Sequence, residues 1–375
     1  MQIKDFMSAL DVLNADFYTG VPDSLLSPFT DFLMNRYGVS SKHIVTANEG
    51  AAVGLATGHY LATGKPAVVY MQNSGIGNAI NPICSLLHQK VYAVPVIFVI
   101  GWRGEPNTKD EPQHVFQGEV TLAQLDCMEI PHFIISKDTT DLTGCVDEFK
   151  SHIKNGQSVA FVIRKDALEN DEKMKYASKA ELSREQVLNR VIDHASINDV
   201  FVCTTGKLSR EVFEIREQKG MGHNQDFLTV GSMGHSLMIA YGIALAKPQK
   251  RVYCLDGDGA VLMHMGSLGV VGVTNPTNLV HIVINNGAHE TVGGVPTVAA
   301  NIKFSEVAAA LGYRHCFRIE NESDLLLVLP KIDGQEGAIF VEVICNLKSR
   351  KDLGRPTTAP VQNKNDLMAF LSEVI

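Results

Sequence analysis

Two short polar segments in the second half of the sequence carry residue types that can hold a phosphate and a divalent cation. Gly257-Asp258-Gly259 follows an apolar strand, and Asn285-Asn286 follows the next apolar strand after 25 intervening residues. Glycines at a strand end let the backbone approach a phosphate, and the helix that follows offers free N–H groups. Asp258 and Asn286 supply oxygen ligands for a hard cation. An Asp-Gly pair alone indicates a plain turn. Two adjacent asparagines, however, are poor strand formers, so their position at the end of the next strand favours a phosphate and cation site over two unrelated turns.

These segments belong to a pattern that the chain contains twice. In each copy a helix of small residues ends at Lys-Pro, a strand leads into a turn that contains glycine, and a further helix leads to a second apolar strand. The first helices of the two copies are predicted at 50–64 and 234–246, and the second strands at 94–100 and 279–284. Continuous apolar strands alternating with helices predict parallel sheets covered on both faces. The predicted fold is α/β, with two related domains at 1–165 and 183–375. The charged stretch around 166–182 lacks apolar periodicity and is predicted to be a linker.

Composition excludes several classes of function. Lys and Arg number 33 against 41 Asp and Glu, for a net charge of -8 without long blocks of one sign, so a nucleic-acid partner is not expected. The longest apolar run, 91–100, is too short for a membrane span, and the N-terminus has no signal-peptide pattern. The seven cysteines are scattered without a CxxC motif, so we expect a reducing, cytoplasmic location.

The spacing of the GDG and NN segments resembles the diphosphate-binding motif of the thiamine diphosphate-dependent enzymes. The resemblance implies that Asp258 and Asn286 are Mg²⁺ ligands, with a backbone carbonyl near Ala288 as the third. Gly257 and Gly259 would then lie beside the diphosphate. Ala260 departs from the pattern, because many members have Ser there, so a hydroxyl contact to phosphate is expected to be absent.

The first half carries the matching segment, which begins EGAAVGLATGHY at Glu49 and resembles the family segment that holds a catalytic glutamate. By itself, a Glu at a helix start is usually a capping or dipole residue. The resemblance implies that Glu49 hydrogen-bonds N1′ of the aminopyrimidine and so assists removal of the proton at the cofactor's reactive carbon. The turn at Asn73 is assigned to the same cofactor site.

Further cofactor contacts are implied after two other strands. Gly231 would offer its carbonyl to the aminopyrimidine, Met233 would be the apolar wedge that keeps the cofactor bent, and Ser232 lies between them. Core filling is the other reading of Met233. Gly206 and Lys207 follow the strand VFVCTTG and are assigned to the diphosphate.

The resemblance makes 1–165 a pyrimidine-binding domain and 183–375 a diphosphate-binding domain. In this family the cofactor spans domains of two subunits, so we expect a homo-oligomer, at least a dimer, with active sites at subunit interfaces.

Local clusters of cations in this acidic chain indicate an anionic substrate, although each could be a solvated basic face. Arg suits bidentate contact with phosphonate or sulfonate oxygens, and strand-end loops commonly carry function. Asp23 and His114 are candidates for the proton-transfer steps, with a turn or cap role as the alternative for Asp23. The expected substrate contacts are Ser24, Arg103, Lys109, Gln117 and Arg350.

The segments GVPDS, QNSGIGN, GWRGEPNTKDEPQH and RKDLGRP resemble the phosphonopyruvate decarboxylases. They are less similar to the sulfopyruvate-decarboxylating relatives. Sulfopyruvate, which is also a small 2-oxo acid, is therefore the main alternative substrate. An alternative from another class is a regulatory protein that binds a nucleotide without catalysis. Glu49 discriminates against it, because a nucleotide site needs no carboxylate opposite an aminopyrimidine.

Overall fold

The computed structural model describes residues 1–372 and divides the chain into two compact units, Met1–Lys175 and a second that begins at Tyr176. The domain limits drawn from the sequence stay a prediction. No helix within residues 1–372 is both long enough and apolar enough to cross a membrane.

The first unit is a six-stranded parallel sheet with helices on both faces. Its elements are α1 (Ile3–Val12), β1 (Tyr18–Gly20), α2 (Ser27–Tyr37), β2 (His43–Val45), α3 (Glu49–Thr63), β3 (Ala67–Gln72), α4 (Ile76–Pro82), β4 (Val96–Gly101), α5 (Pro112–Cys127), β5 (His132–Ile135), α6 (Thr143–Lys154) and β6 (Val159–Ile163).

The second unit has the same architecture, with one short antiparallel pair, β11 and β12, added after the fourth strand of its sheet. Its elements are α7 (Arg184–His194), β7 (Val200–Cys203), α8 (Lys207–Gln218), β8 (Asp226–Leu228), α9 (Ser236–Ala246), β9 (Val252–Gly257), α10 (Asp258–Met263), α11 (Gly266–Thr274), β10 (Leu279–Asn285), β11 (Ala288–His289), β12 (Val295–Pro296), α12 (Phe304–Ala310), β13 (His315–Ile319), α13 (Glu322–Ile332), β14 (Ile339–Ile344) and α14 (Pro360–Ser372).

The strand orders of the two sheets are the same. The first sheet runs β2-β1-β3-β4-β6-β5 and the second, read from its other edge, runs β8-β7-β9-β10-β14-β13. In both, the order is therefore second, first, third, fourth, sixth and fifth strand of the unit. The predicted α/β fold with two related parallel sheets is confirmed, and the repeated pattern in the sequence corresponds to a repeated topology.

Burial on both faces explains the continuous apolar strands. In β3, alternate side chains enter two different clusters: Val68 and Tyr70 pack on one face, and Val69 and Met71 on the other. A strand in this position has no solvated side, so it cannot alternate apolar and polar residues. The polar residues therefore follow the strands rather than interrupt them, which places them at the carboxyl edges of the sheets, where open α/β sheets bind ligands.

Candidate active site

Glu49 lies in the first turn of α3, near the carboxyl edge of the first sheet. Asn48 caps this helix, because its side-chain oxygen accepts a hydrogen bond of 2.8 Å from the N–H of Ala51. The Glu49 residue is only 5% exposed, and its Oε2 accepts a hydrogen bond of 2.8 Å from Asn78 Nδ2. Burial raises the pKa of Glu49 above its ordinary value, and the Asn78 hydrogen bond opposes that rise. This carboxyl group therefore accepts a proton more readily than a solvated glutamate.

Gly75 packs directly against the Glu49 carboxylate. A Cβ atom added at Gly75 would lie 2.5 Å from Glu49 Oε1 and 2.8 Å from its Cδ. Any larger residue at position 75 would therefore displace the Glu49 carboxylate.

Asn73 supports the loop after β4. Its Nδ2 donates to the Arg103 carbonyl (2.9 Å) and to Thr121 Oγ1 (2.8 Å), while its Oδ1 accepts from the Arg103 N–H (3.1 Å). The amide nitrogen thus uses both of its protons within the protein. The expected contact of Asn73 with the cofactor stays a prediction, and these bonds show that Asn73 also holds Arg103 in place.

The guanidinium of Arg103 is shared between a carboxylate and a hydroxyl group. Its Nε and Nη2 donate to Asp110 at 2.8 and 2.5 Å, and its Nη1 donates to Ser24 Oγ at 3.1 Å. This bidentate pair holds the pKa of Asp110 far below its usual range against the opposing effect of partial burial. The structure thus brings together two of the expected substrate contacts, Ser24 and Arg103.

Asp23 is buried beside this cluster. Its carboxylate accepts hydrogen bonds from Gln72 Nε2 (2.7 Å) and from the N–H of Leu25 (3.0 Å). Burial raises the pKa of Asp23, and the Gln72 bond and the charge of Arg103 oppose the rise. A carboxyl group with a raised pKa can exchange a proton closer to neutral pH.

His114 lies near the start of α5 and is buried, whereas Lys109 in the preceding loop is exposed. Burial is the main cause, and the Arg103 charge a second cause, of a lowered His114 pKa. Its Nδ1 is buried without a hydrogen-bond partner among the described residues. Gln117, one helical turn on, is half-buried.

In the second unit, Asp258 begins α10 immediately after β9. The residue is 4% exposed, and its Oδ2 accepts a hydrogen bond of 2.8 Å from Thr297 Oγ1. Burial raises the pKa of Asp258 to about 7. Hydrogen bonds from Thr297 and from the backbone N–H groups of Gly259 and Asp258 oppose this rise, and a divalent cation beside the carboxylate would favour its ionised form further.

Asn286 follows β10 at the same sheet edge. Its Oδ1 accepts from the N–H of Ala288 (3.1 Å), and its Nδ2 donates to Glu290 Oε2 (3.1 Å). Together with Asp258, the group offers a carboxylate, an amide oxygen and backbone carbonyls. This all-oxygen set fits Mg²⁺ and does not resemble the nitrogen and sulfur ligands of zinc.

Two further turns end at this edge. Gly206 precedes α8 with φ +98°, a conformation that favours glycine, and Lys207 Nζ reaches Glu290 (3.1 Å) and Ser349 Oγ (2.8 Å). After β8, Met233 lies beside the GDG turn, since a Cβ added at Gly259 would be 3.1 Å from Met233 Cε. Gly231 and Ser232 precede it, and Ala260 is buried.

A second group of potential metal ligands, Cys254, Asp256 and His281, is wholly buried within the sheet. Asp256 Oδ1 accepts a hydrogen bond of 2.9 Å from the N–H of Gly257, and its Oδ2 lies 3.5 Å from His281 Nε2. The Asp256 contact supports the turn that presents Asp258.

Arg350 is bound by acidic residues of its own unit. Its guanidinium pairs with Glu185 on α7 and with Glu214 on α8. The positive charge that the sequence assigned to substrate binding is therefore already balanced. Sequence reasoning also missed Arg184, Glu211 and Glu290, which form a buried ion-pair cluster beside Asn286.

Comparison with known proteins accounts for these features. Two models match the chain: the N-terminal TPP binding domain of thiamine pyrophosphate enzymes over residues 4–126, and their C-terminal TPP binding domain over residues 204–343. Phosphonopyruvate decarboxylases from Streptomyces viridochromogenes and Streptomyces hygroscopicus are 31% and 30% identical to the chain. The alignments cover 98% and 99% of this chain and 94% of each relative. The chain belongs to the thiamine pyrophosphate enzymes.

The cofactor of this enzyme is thiamine diphosphate, which is another name for thiamine pyrophosphate. The alternative of a non-catalytic protein that binds a nucleotide is therefore wrong. A sulfopyruvate decarboxylase from Methanosarcina acetivorans is also similar, with 24% identity over 80% of this chain and 81% of the relative.

Proposed function

We propose that this thiamine pyrophosphate enzyme decarboxylates 3-phosphonopyruvate to phosphonoacetaldehyde and CO₂, a reaction of phosphonate biosynthesis. The observation that carries the proposal is the similarity to two phosphonopyruvate decarboxylases over nearly the whole of both chains. The bond between the carboxylate and the 2-oxo carbon breaks, CO₂ leaves, and a proton takes its place. When bound, thiamine diphosphate supplies the carbon nucleophile and the electron sink that this bond cleavage needs.

The residues around Glu49 suit the pyrimidine end of the cofactor. Glu49 would hydrogen-bond the aminopyrimidine N1′, and its raised pKa favours a shared proton at that contact. Gly231 and Met233 would contact the same ring system. The diphosphate would lie against Gly206, Lys207 and the GDG turn.

Magnesium would be held by the Asp258 carboxylate, the Asn286 amide oxygen and the Ala288 carbonyl. The burial of Asp258 supports this role, because a buried carboxylate stays ionised more readily when a cation lies beside it. Ala260 offers no hydroxyl to the diphosphate, so the backbone N–H groups at the start of α10 would carry that contact.

The Arg103 cluster suits the anionic group of the substrate. Arg103 Nη1 and the Ser24 hydroxyl form a pair of donors 3.1 Å apart, while Asp110 fixes the other edge of the guanidinium. Lys109 and Gln117 would add contacts from the same segment. Arg350 is the weakest of the proposed contacts, because Glu185 and Glu214 already balance its charge.

Asp23 and His114 are the proposed proton-transfer groups. Their pKa values are displaced in opposite directions, upward for Asp23 and downward for His114, with burial the main cause in each. Both groups therefore titrate closer to each other than isolated Asp and His do, which suits exchange of a proton during product formation.

We also propose that the enzyme is a cytoplasmic homo-oligomer with active sites at subunit interfaces. The proposal rests on the family resemblance, in which the cofactor spans domains of two subunits. Size-exclusion chromatography with light scattering tests it, and a monomer that is fully active with bound cofactor would contradict the proposal.

The test of function is a substrate panel of phosphonopyruvate, sulfopyruvate and pyruvate, with and without thiamine diphosphate and Mg²⁺. We expect CO₂ release to require both cofactors and kcat/KM to be highest for phosphonopyruvate. Glu49→Gln should bind the cofactor but lose turnover, since the amide cannot share a proton with N1′. Full turnover in Glu49→Gln would refute the mechanism.

Sulfopyruvate is the second candidate substrate, and the similarity to a sulfopyruvate decarboxylase over most of the chain favours keeping it. Sulfonate carries one negative charge where phosphonate carries up to two. If sulfopyruvate gives the higher kcat/KM, the substrate assignment is wrong while the cofactor assignment stands.

A further inference from the structure

The carboxylate of Glu290 is the meeting point of three polar side chains beside the proposed metal site. Its Oε2 accepts from Asn286 Nδ2 (3.1 Å) and Arg184 Nη1 (2.5 Å), and its Oε1 accepts from Lys207 Nζ (3.1 Å). The Glu290 side chain is 9% exposed. A buried acid with three donors is held in one place.

We propose that Glu290 is a positioning residue that fixes the Asn286 amide with its oxygen, rather than its nitrogen, turned toward the metal. The inference rests on the proposed function, because it takes Asn286 as a Mg²⁺ ligand.

An asparagine amide is nearly symmetric in shape, because its oxygen and nitrogen atoms are similar in size. Rotation by half a turn about the last side-chain bond exchanges Oδ1 and Nδ2 with almost no change in shape, but only the oxygen can ligate Mg²⁺. An unrestrained Asn286 would present the wrong atom for part of the time. The binding-competent fraction, and with it the apparent Mg²⁺ affinity, would fall accordingly.

Two contacts of opposite polarity remove this ambiguity. Glu290 Oε2 can only accept a hydrogen bond, so it selects the Nδ2 of Asn286. The N–H of Ala288 can only donate, so it selects Oδ1. Turning the amide over would set oxygen against carboxylate and N–H against NH₂, which loses both bonds and adds two repulsions.

Glu290 is itself anchored from two helices. Arg184 on α7 donates to Glu290 and makes a bidentate pair with Glu211 at 2.6 and 2.7 Å. Lys207 on α8 donates to the other carboxylate oxygen, Oε1. Two acids and two bases balance in charge, so the cluster can stay buried and ionised.

Glu290→Gln and Glu290→Leu separate positioning from charge. In Glu290→Gln the amide oxygen can take the place of Oε2, which keeps the acceptor for Asn286 and Arg184 and loses only the bond to Lys207. Glu290→Leu removes every acceptor. Glu211→Gln is the matched control, because it perturbs Arg184 without contacting Asn286.

The measurement is calorimetric titration of Mg²⁺ into each protein at saturating thiamine diphosphate, with thermal melts run in parallel. We expect Kd for Mg²⁺ to rise by about 10-fold or more in Glu290→Leu, the size usual for outer-shell partners of metal ligands. Glu290→Gln and Glu211→Gln should stay within about 3-fold of wild type, even where their melting temperatures fall.

A second variant tests the orientation itself. Asn286→Asp has two equivalent oxygens, so in the double variant Glu290→Leu with Asn286→Asp no orientation has to be selected, and most of the Mg²⁺ affinity should return. An equal loss of Mg²⁺ affinity in Glu290→Gln and Glu290→Leu, or a wild-type Kd for Mg²⁺ in Glu290→Leu, would overturn the role of Glu290 and leave the proposed function standing. If Glu290→Leu does not fold, a tenfold loss in Glu290→Gln overturns it. A wild-type protein that binds neither Mg²⁺ nor thiamine diphosphate would overturn the proposed function instead.

Discussion

Replacing Gly75 with alanine should damage catalysis far more than folding. The backbone allows the change, because Gly75 has φ -71° and ψ -16°, which alanine adopts without strain. The added Cβ, however, would lie 2.5 Å from Glu49 Oε1, and ordinary van der Waals contact begins at 3.4 Å. The carboxylate must retreat by about 0.9 Å. Glu49 Cγ, which would lie 2.7 Å from the new Cβ, must move with it, and a rotation about the side-chain bonds allows this without displacing the backbone.

The size of the effect follows from that displacement. Catalytic groups need to be held within about 0.5 Å of their productive geometry, and a misplacement of about 1 Å can cost about 100-fold in rate. We therefore expect kcat to fall by about 100-fold in Gly75→Ala, with a change in unfolding free energy below about 1 kcal/mol.

Steady-state release of CO₂ and urea unfolding measure the two quantities. Gly77→Ala is the matched control, because it lies two residues away in α4 and its Cβ would meet nothing within 4 Å. It should keep full activity. Wild-type kcat in Gly75→Ala, or an equal loss in Gly77→Ala, would refute the argument that the Glu49 position controls the rate.

Three other predictions concern the proposed metal ligand Asp258, the proposed proton-transfer residue His114 and the loop that holds Arg103. Asp258→Ala should weaken binding of the thiamine diphosphate–Mg²⁺ pair by about 100-fold or more, as measured by calorimetry. Loss of a residue that merely supports a metal ligand already costs about 10 to 100-fold in affinity. Unchanged affinity would exclude Asp258 as a ligand. Burial keeps the pKa of His114 below 6.5, so any loss of kcat/KM caused by protonation of His114 should occur on the acid side of that pH. This loss should disappear in His114→Gln. A kcat/KM profile whose acid limb is identical in His114→Gln would exclude His114 as a proton-transfer residue. Gly118→Ala should destabilise the protein by at least about 2 kcal/mol in urea unfolding. The added Cβ would lie 1.7 Å from the Gly104 carbonyl oxygen, so the backbone segments at Gly104 and Gly118 would have to separate. Near-wild-type stability would show that these two segments can move apart at little cost.

Sequence patterns predicted the frame of the site because its residues follow strands directly. The helix predicted over 50–64 is observed as α3, one residue earlier at each end, with Glu49 in its first turn. The GDG and NN segments lie at the ends of β9 and β10, which pair side by side. Strand ends of a parallel sheet meet at one edge whatever the loops do, so this part of the geometry is set by topology.

The supporting contacts could not be predicted in the same way. Arg184 and Glu290 are 106 residues apart in sequence and meet only in the fold. Asp110 is close to Arg103 in sequence, but a loop without periodicity gives no sign that the two side chains pair. Asn73 has the right type and place for a ligand contact, and only its bonds to the Arg103 backbone and Thr121 show that it supports the loop.

The shared strand order gives each strand of one six-stranded sheet a counterpart in the other. The ends of corresponding strands carry Glu49 and Met233 after β2 and β8, Asn73 and Asp258 after β3 and β9, and Arg103 and Asn286 after β4 and β10. Identical topology is the expected outcome when one ancestral domain is duplicated, and here the copies differ in chemistry at the strand ends while the sheets are preserved. New substrate preferences could therefore be engineered by replacing strand-end loops in the first unit, while the second unit keeps the proposed sites for the metal and the diphosphate.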